Sequence, residues 1–199
     1  MFLPEGYKAP STNYMRLQEG DNQFRVLGSA VVGFEYWNTQ NTPVRSKTGW
    51  RTLPNDIKIE DDGKVSKINH FWAFPVWNYA ESKVQILELT QKTVQGPLKD
   101  LVNNPKWGDP KEYDITIKKE KVSGKVSYIV MPDPKTPIAA EIAKAYSEMS
   151  INLEALFEGG DPFMSAKVDN TPAGIVSKAQ AAQEMAGEEV NIAPIDGQV

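Results

Sequence analysis

The sequence predicts a mainly β fold with some α-helix, and three observations carry that expectation. Five runs rich in β-branched and aromatic residues recur between residues 23 and 131, some with clean alternation of apolar and polar positions. One short stretch with helical spacing falls between the third and fourth of these runs. After Met131 the chain changes to turn residues and then to a helical period.

The elements follow in order. Residues 1–22 are polar and punctuated by Pro4, Gly6, Pro10 and Gly20, so they read as an arm with one short strand near residues 14–17. Residues 23–27 (QFRVL) and 30–37 (AVVGFEYW) read as one long strand bent at Gly28-Ser29. Residues 38–67 read as a polar, irregular insertion in which Asp62-Gly63 signals a tight turn. Residues 68–79 (INHFWAFPVWNY) are the most aromatic stretch, and Ala80-Glu81-Ser82 joins them at hairpin length to 83–90 (KVQILELT). Leu98, Leu101 and Val102 stand at i, i+3, i+4, which predicts a short helix over 93–102 with Pro97 in its first turn. Tyr113, Ile115 and Ile117 alternate along the next strand, and Ser123-Gly124 turns the chain into a last strand at 126–131. PDPKTP is a linker, after which Ile142, Tyr146, Met149, Leu153 and Leu156 keep helical spacing, as one helix or a pair broken near Ser150.

A helix between the third and fourth of five antiparallel strands is the order of the OB-fold, a partly open Greek-key barrel often used for oligonucleotides. The predicted fold is therefore an OB-fold-like five-stranded barrel with a C-terminal helical segment. Its divisions are a core at 1–131 that includes the arm and the 38–67 insertion, the helical segment at 132–163, and a flexible acidic tail at 164–199.

Composition narrows the function classes. There is no cysteine and one histidine, His70, so disulfides, thiolate sites and His-pair zinc sites are excluded, and no metal or cofactor is expected. The opening residues lack a basic stretch followed by an apolar run, and no segment reaches the roughly 20 apolar residues of a membrane helix, so no membrane association is expected. The net charge is −4, unevenly placed: residues 1–130 carry a net +3 and residues 131–199 a net −7. A basic body with an acidic end is a hint of nucleic-acid contact.

Three groups of residues carry that hint further. Along the aromatic strand His70, Trp72 and Phe74 share one face and Phe71, Trp77 and Tyr79 the other; rings displayed on a barrel face are what single strands stack on. Pro75, with no N–H to donate, marks a bulge or an edge there. The competing reading buries both faces, one in the barrel and one under the C-terminal helix. In and around the insertion Arg45, Lys47, Trp50, Arg51 and Lys67 interleave charge and ring, with Tyr36 and Trp37 leading in; cations track phosphates while rings accept bases. Lys118, Lys119, Lys121 and Lys125 surround the last hairpin turn, which flanks the ligand groove in OB-folds. No phosphate-binding glycine loop, nucleophile elbow or spaced carboxylate pair occurs, so no catalytic residue is assigned and the chain reads as a non-enzyme.

The segments FLPEGY, FRVLGSAVVGFEYW with PVRS, HFWAFPVWNY and WGDPKEYDITIKK resemble single-stranded DNA-binding proteins of tailed bacteriophages, over most of residues 2–163. Trp107-Gly108-Asp109-Pro110 followed by Tyr113-Asp114-Ile115 is the most specific piece. The resemblance implies an OB-fold core, a groove for single-stranded DNA, work in replication, recombination and repair in the cytoplasm of the infected bacterial host, and an acidic tail that contacts replication or recombination proteins. The chain departs from the pattern in lacking a cysteine zinc subdomain and a basic N-terminal arm, since residues 1–10 hold only Lys8. The alternative reading is an OB-like protein-interaction module of a phage replication complex, without affinity for DNA.

Overall fold

The computed structural model describes residues 12–163 and is mainly β with a few short helices. The expected tail at 164–199 and the start of the arm lie outside the described residues. The described residues hold eight strands: β1 (Tyr14–Met15), β2 (Gly20–Val26), β3 (Val31–Trp37), β4 (Pro43–Ser46), β5 (Asn69–Asn78), β6 (Lys83–Leu89), β7 (Asp114–Val122) and β8 (Lys125–Pro132). They form one open mixed sheet in the order β1-β6-β5-β2-β7-β8, with β3 continuing alongside β5 and β4 paired to β3. The helices are α1 (Lys92–Asn103) and α2 (Ala140–Ser147), with 3₁₀ turns at Pro110–Glu112 and Leu153–Glu158.

The long bent strand of the sequence reading is β2 and β3, both antiparallel to β5. Phe24 to Val26 face Asn78 to Val76, and Val31 to Glu35 face Ala73 to Asn69. Pro75 explains the break. Its carbonyl accepts from the Leu27 N–H at 2.9 Å. A strand residue's N–H and C=O point to the same side, so the donor that proline lacks faces the interruption at 27–30. The β5–β6 ladder consequently runs in register from Trp72↔Leu89 to Asn78↔Lys83 without a bulge. Gly28 is required at the bend, because a Cβ there would lie 2.5 Å from the Tyr146 hydroxyl and 2.8 Å from Pro75 Cγ.

Both faces of the central strands are covered. Trp72, Phe74 and Val76 of β5 point inward with Phe24, Leu87, Leu89, Ile115 and Ile117, and α1 closes this core through Val94 and Leu98. Phe71 and Ala73 point outward with Ile86 and lie beneath Leu156 and Phe157; Leu27, Val84 and Trp77 lie beneath Ile142 and Tyr146 of α2. A strand buried on both sides reads as a continuous apolar run, which is why residues 71–77 carry almost no charge. The linker is tied to the sheet by Arg25, which is 2% exposed, pairs with Asp114 and donates to the Thr136 carbonyl at 3.1 Å and the Thr136 hydroxyl at 2.9 Å.

Three expectations change. The sheet stays open between β6 and β8; β1 takes the free edge of β6 in parallel, Tyr14↔Ile86 and Met15↔Leu87, and α1 lies against β8. α1 begins at Lys92, so Pro97 sits inside it rather than in its first turn. The Gln95 side chain steadies the helix there, donating to the Leu89 carbonyl at 2.7 Å and the His70 carbonyl at 3.1 Å. The insertion is not wholly irregular: β4 and the bridges Asn38↔Ile57 and Ile59↔Val65 organise it.

Candidate nucleic-acid interface

The opening between β6 and β8 is the site of a cleft of about 510 Å³. Three elements far apart in sequence line it. The β3–β4 hairpin contributes Trp37, 41% exposed, with Pro43 paired opposite. The β7–β8 hairpin contributes the cross-strand pair Lys119 and Tyr128. The arm contributes Tyr14 and Arg16 from β1 and the residue beyond it. Met15 anchors this segment by entering the inner core while Tyr14 packs on the outer one.

Hydrogen bonds fix the geometry. The Lys119 ammonium donates to the Leu17 carbonyl at 2.9 Å, holding its charge beside the arm with two further donors to spare. The turn that delivers the arm into β2 is stapled by Asn22, which accepts from the Gln18 N–H at 2.7 Å and donates to the Gln18 carbonyl at 2.9 Å and the Ile117 carbonyl at 3.0 Å. Arg16 is exposed and has no ion-pair partner among the described residues. The cleft also has an acidic wall. Glu88 lies there with its carboxyl pushed above the ordinary range, chiefly by burial, while Arg45 opposes the shift. Burial, with a contribution from Glu88, likewise raises the Tyr14 phenol.

Of the residues singled out from sequence, Trp37, Arg45 and Lys119 meet in this cleft. Lys121 continues the face of Lys119 along the hairpin, and Lys125 stands at its tip; both are exposed and without an ion-pair partner among the described residues. Lys118 points to the other face and pairs with Glu120 at 2.6 Å. Arg51 and Lys67 are exposed on the insertion, away from the cleft lining.

Several candidates also make contacts that tie them into the fold. The Arg45 side chain is 9% exposed, bonded to Glu35 at 3.2 Å and Glu88 at 2.9 Å, and stacked 5.3 Å over the Phe71 ring, so its charge is spent inside the fold. Tyr36 is buried, donates to Asp56 at 2.7 Å and meets Trp50 edge-on at 4.7 Å. Burial and that hydrogen bond push its phenol up to about 12. Phe74 belongs to the inner core and Trp77 packs under α2. Lys47 is held by Glu154 at 2.6 Å and lies over the Phe157 ring. His70 and Trp72 are half-buried and extend an edge-to-face ladder from Phe34 at 5.3 and 6.4 Å; Trp72 lines a second cavity on the inner side.

Tyr14, Arg16 and Tyr128 are the residues sequence reasoning missed. Tyr128 was within reach: counting back from the two-residue turn at Ser123-Gly124 sets Lys119 opposite Tyr128. Arg16 and Tyr14 left only the weak signal of a cation and a ring in a polar arm.

Among the described residues no group of three or more His, Asp or Glu side chains is placed to hold a metal ion, and no helix is long and apolar enough to cross a membrane. No family model, curated protein or solved structure matches the chain.

Proposed function

We propose that this chain is a non-catalytic, sequence-tolerant single-stranded DNA-binding protein of the kind tailed phages use in replication, recombination and repair, built on an opened OB-type barrel. The observation that carries the reading is the convergence of Trp37, Tyr128 and Tyr14 with Arg16 and Lys119 on one cleft, from three separate stretches of chain. Rings accept bases of any identity because every base has a π-face, and the cations beside them neutralise phosphates.

The strand pairing supports the barrel part of the reading. With β2 and β3 counted as one strand, the neighbours are those of an OB barrel on four of its five seams. The fifth seam is where the cleft lies. The outer face of β5 and β6 is closed by α2 and the 3₁₀ turn at Leu153–Glu158, which leaves the cleft and the inner side of the β7–β8 hairpin as the path for a strand. The site of action is then the cytoplasm of the infected bacterial host, with residues 164–199 holding replication or recombination proteins.

The deciding experiment is intrinsic tryptophan fluorescence during titration with a dT oligonucleotide at low salt, followed by back-titration with salt. Quenching that reverses with salt supports stacking on Trp37 with phosphate anchoring. No quenching together with no gel shift removes the DNA reading and leaves a protein-docking module.

A further inference from the structure

The floor of the cleft between β6 and β8 carries more negative charge than its one buried cation balances. The Arg45 guanidinium bonds Glu35 at 3.2 Å, and the two side chains are 9% and 8% exposed. Glu35 alone neutralises Arg45. Glu88 adds a second carboxylate, 26% exposed, whose two oxygens accept from one nitrogen of the same guanidinium at 2.9 and 3.0 Å. An ionised carboxylate offers about four acceptor positions. Arg45 fills two of them, and no other hydrogen-bond donor reaches Glu88 among the described residues. Burial holds this carboxyl above the ordinary range, with Arg45 opposing the shift and Glu35 adding to it. Glu88 is also the one carboxylate among the described residues of the cleft lining. A free negative charge in a groove for a polyanion repels phosphate, so it needs a different partner there.

The strand register places that partner. Tyr14 pairs with Ile86, and Glu88 stands two residues further along β6 on the same face. Trp37 stands two residues beyond Glu35 on β3, on the face that carries the chain from Glu35 through Arg45 to Glu88. The carboxylate thus lies on the floor between two cleft rings, each offset along its strand by about 7 Å. A base stacked on either ring turns its hydrogen-bonding edge, not its face, toward that floor. Resting on the single-strand reading of the cleft, we infer that Glu88 accepts a hydrogen bond from the exocyclic amino group of a bound base, so that the cleft favours cytosine over thymine. The two pyrimidines share a ring size. At the same edge position cytosine presents an amino donor, which a carboxylate attracts, and thymine a carbonyl oxygen, which it repels. Stacking and phosphate neutralisation are common to every base, so the preference is laid over a binding mode that tolerates all sequences.

The test compares dC and dT oligonucleotides of equal length, labelled at one end, by fluorescence anisotropy with the full chain at slightly alkaline pH, where oligocytosine is unprotonated. The parent chain is expected to bind dC about five-fold more tightly than dT, the low end of what one base-edge contact discriminates. Glu88→Gln keeps an oxygen for Arg45 but adds a donor of its own, and is expected to bring the two affinities together by strengthening dT binding. A dC oligonucleotide whose amino groups carry two methyls each gives a readout that needs no variant, and its affinity for the parent chain is expected to fall to that of dT. Equal binding of dC and dT by the parent chain would overturn the inference and leave the single-strand reading standing. A dC preference that survives in Glu88→Gln, or that survives methylation of the amino groups, would overturn it in the same way. Binding of neither oligonucleotide would remove the single-strand reading, and this inference with it.

Discussion

At the scale of single residues, exposure separates rings packed into the fold from rings open to solvent. Trp37 is 41% exposed on the cleft wall, whereas Phe74 is 5% exposed in the core. Trp37→Ala should therefore weaken binding of a dT oligonucleotide by about 1–3 kcal/mol, the range for one stacked base, with little change in melting temperature. Phe74→Ala should instead destabilise the protein by about 3–5 kcal/mol. If Trp37→Ala binds as tightly as the parent chain, the cleft is not where bases stack. Trp50 belongs with the fold more than the sequence suggested, because its edge-on contact with Tyr36 gives it a partner that its polar neighbours in sequence do not reveal. Composition exposes which residues are aromatic, but the partner that buries each one comes from another part of the chain. Two phenols supply a pH signature. Tyr36 is pushed up to about 12 by burial and its bond to Asp56, and Tyr79 to about 12 by burial and its bond to Asp114. An unfolded tyrosine ionises near 10, so the stability these phenols contribute is complete below pH 10 and is lost as pH rises from about 10 to 12. A melting series across that window, with phenolate absorbance followed in parallel, should show Tyr36→Phe flattening the alkaline fall.

At the scale of elements, the β7–β8 hairpin is the part most legible in sequence and the one with the most to test. Alternation over 113–119 and the Ser123-Gly124 turn predict it, and both turn residues adopt positive φ, 50° and 79°, as a tight two-residue hairpin demands. Its cations do not act alike: Lys119 is anchored on Leu17 and Lys118 on Glu120, while Lys121 and Lys125 are exposed. If a strand follows this hairpin, replacing both Lys121 and Lys125 with Ala should lower the magnitude of the slope of log affinity against log salt by about 1.4, at roughly 0.7 per phosphate on single strands. An unchanged slope would place the DNA elsewhere. The C-terminal segment was legible as helical but not in its position. The spacing of Leu153 and Leu156 does not say which sheet face they cover, and the register of β5 decides that they meet Phe71 and Ala73. Leu156→Ala should cost about 2–5 kcal/mol in denaturant unfolding, as expected for a leucine 2% exposed.

At the scale of the whole molecule, five strand runs, the helix between the third and fourth of them and the C-terminal helical segment could be read from local periodicity, but the opening between β6 and β8 could not. Closure depends on two strands some forty residues apart in sequence finding each other's edge, and neither carries a mark of that edge in its side chains. Here the arm reaches the edge of β6 first, with β1 bonded there through the Ile86 N–H to the Asn13 carbonyl at 2.9 Å, and Lys119 crosses to Leu17 from the other side. The two flanks of the cleft thus touch through one arm segment, one ammonium and the packing of α1 on β8 rather than through a strand ladder. Such a seam should be the first part of the sheet to open, since few backbone hydrogen bonds span it. A strand lying in the cleft would contact both flanks and tie them together. With dT oligonucleotide at about 100 times its dissociation constant, linkage adds about 2.7 kcal/mol of stability. Hydrogen exchange should place the largest local slowing in residues 12–17 and 117–130, with the β5–β6 ladder changed least. Uniform slowing across the sheet would mean that the ligand stabilises the fold without bridging the seam, and the cleft would lose its claim to the DNA.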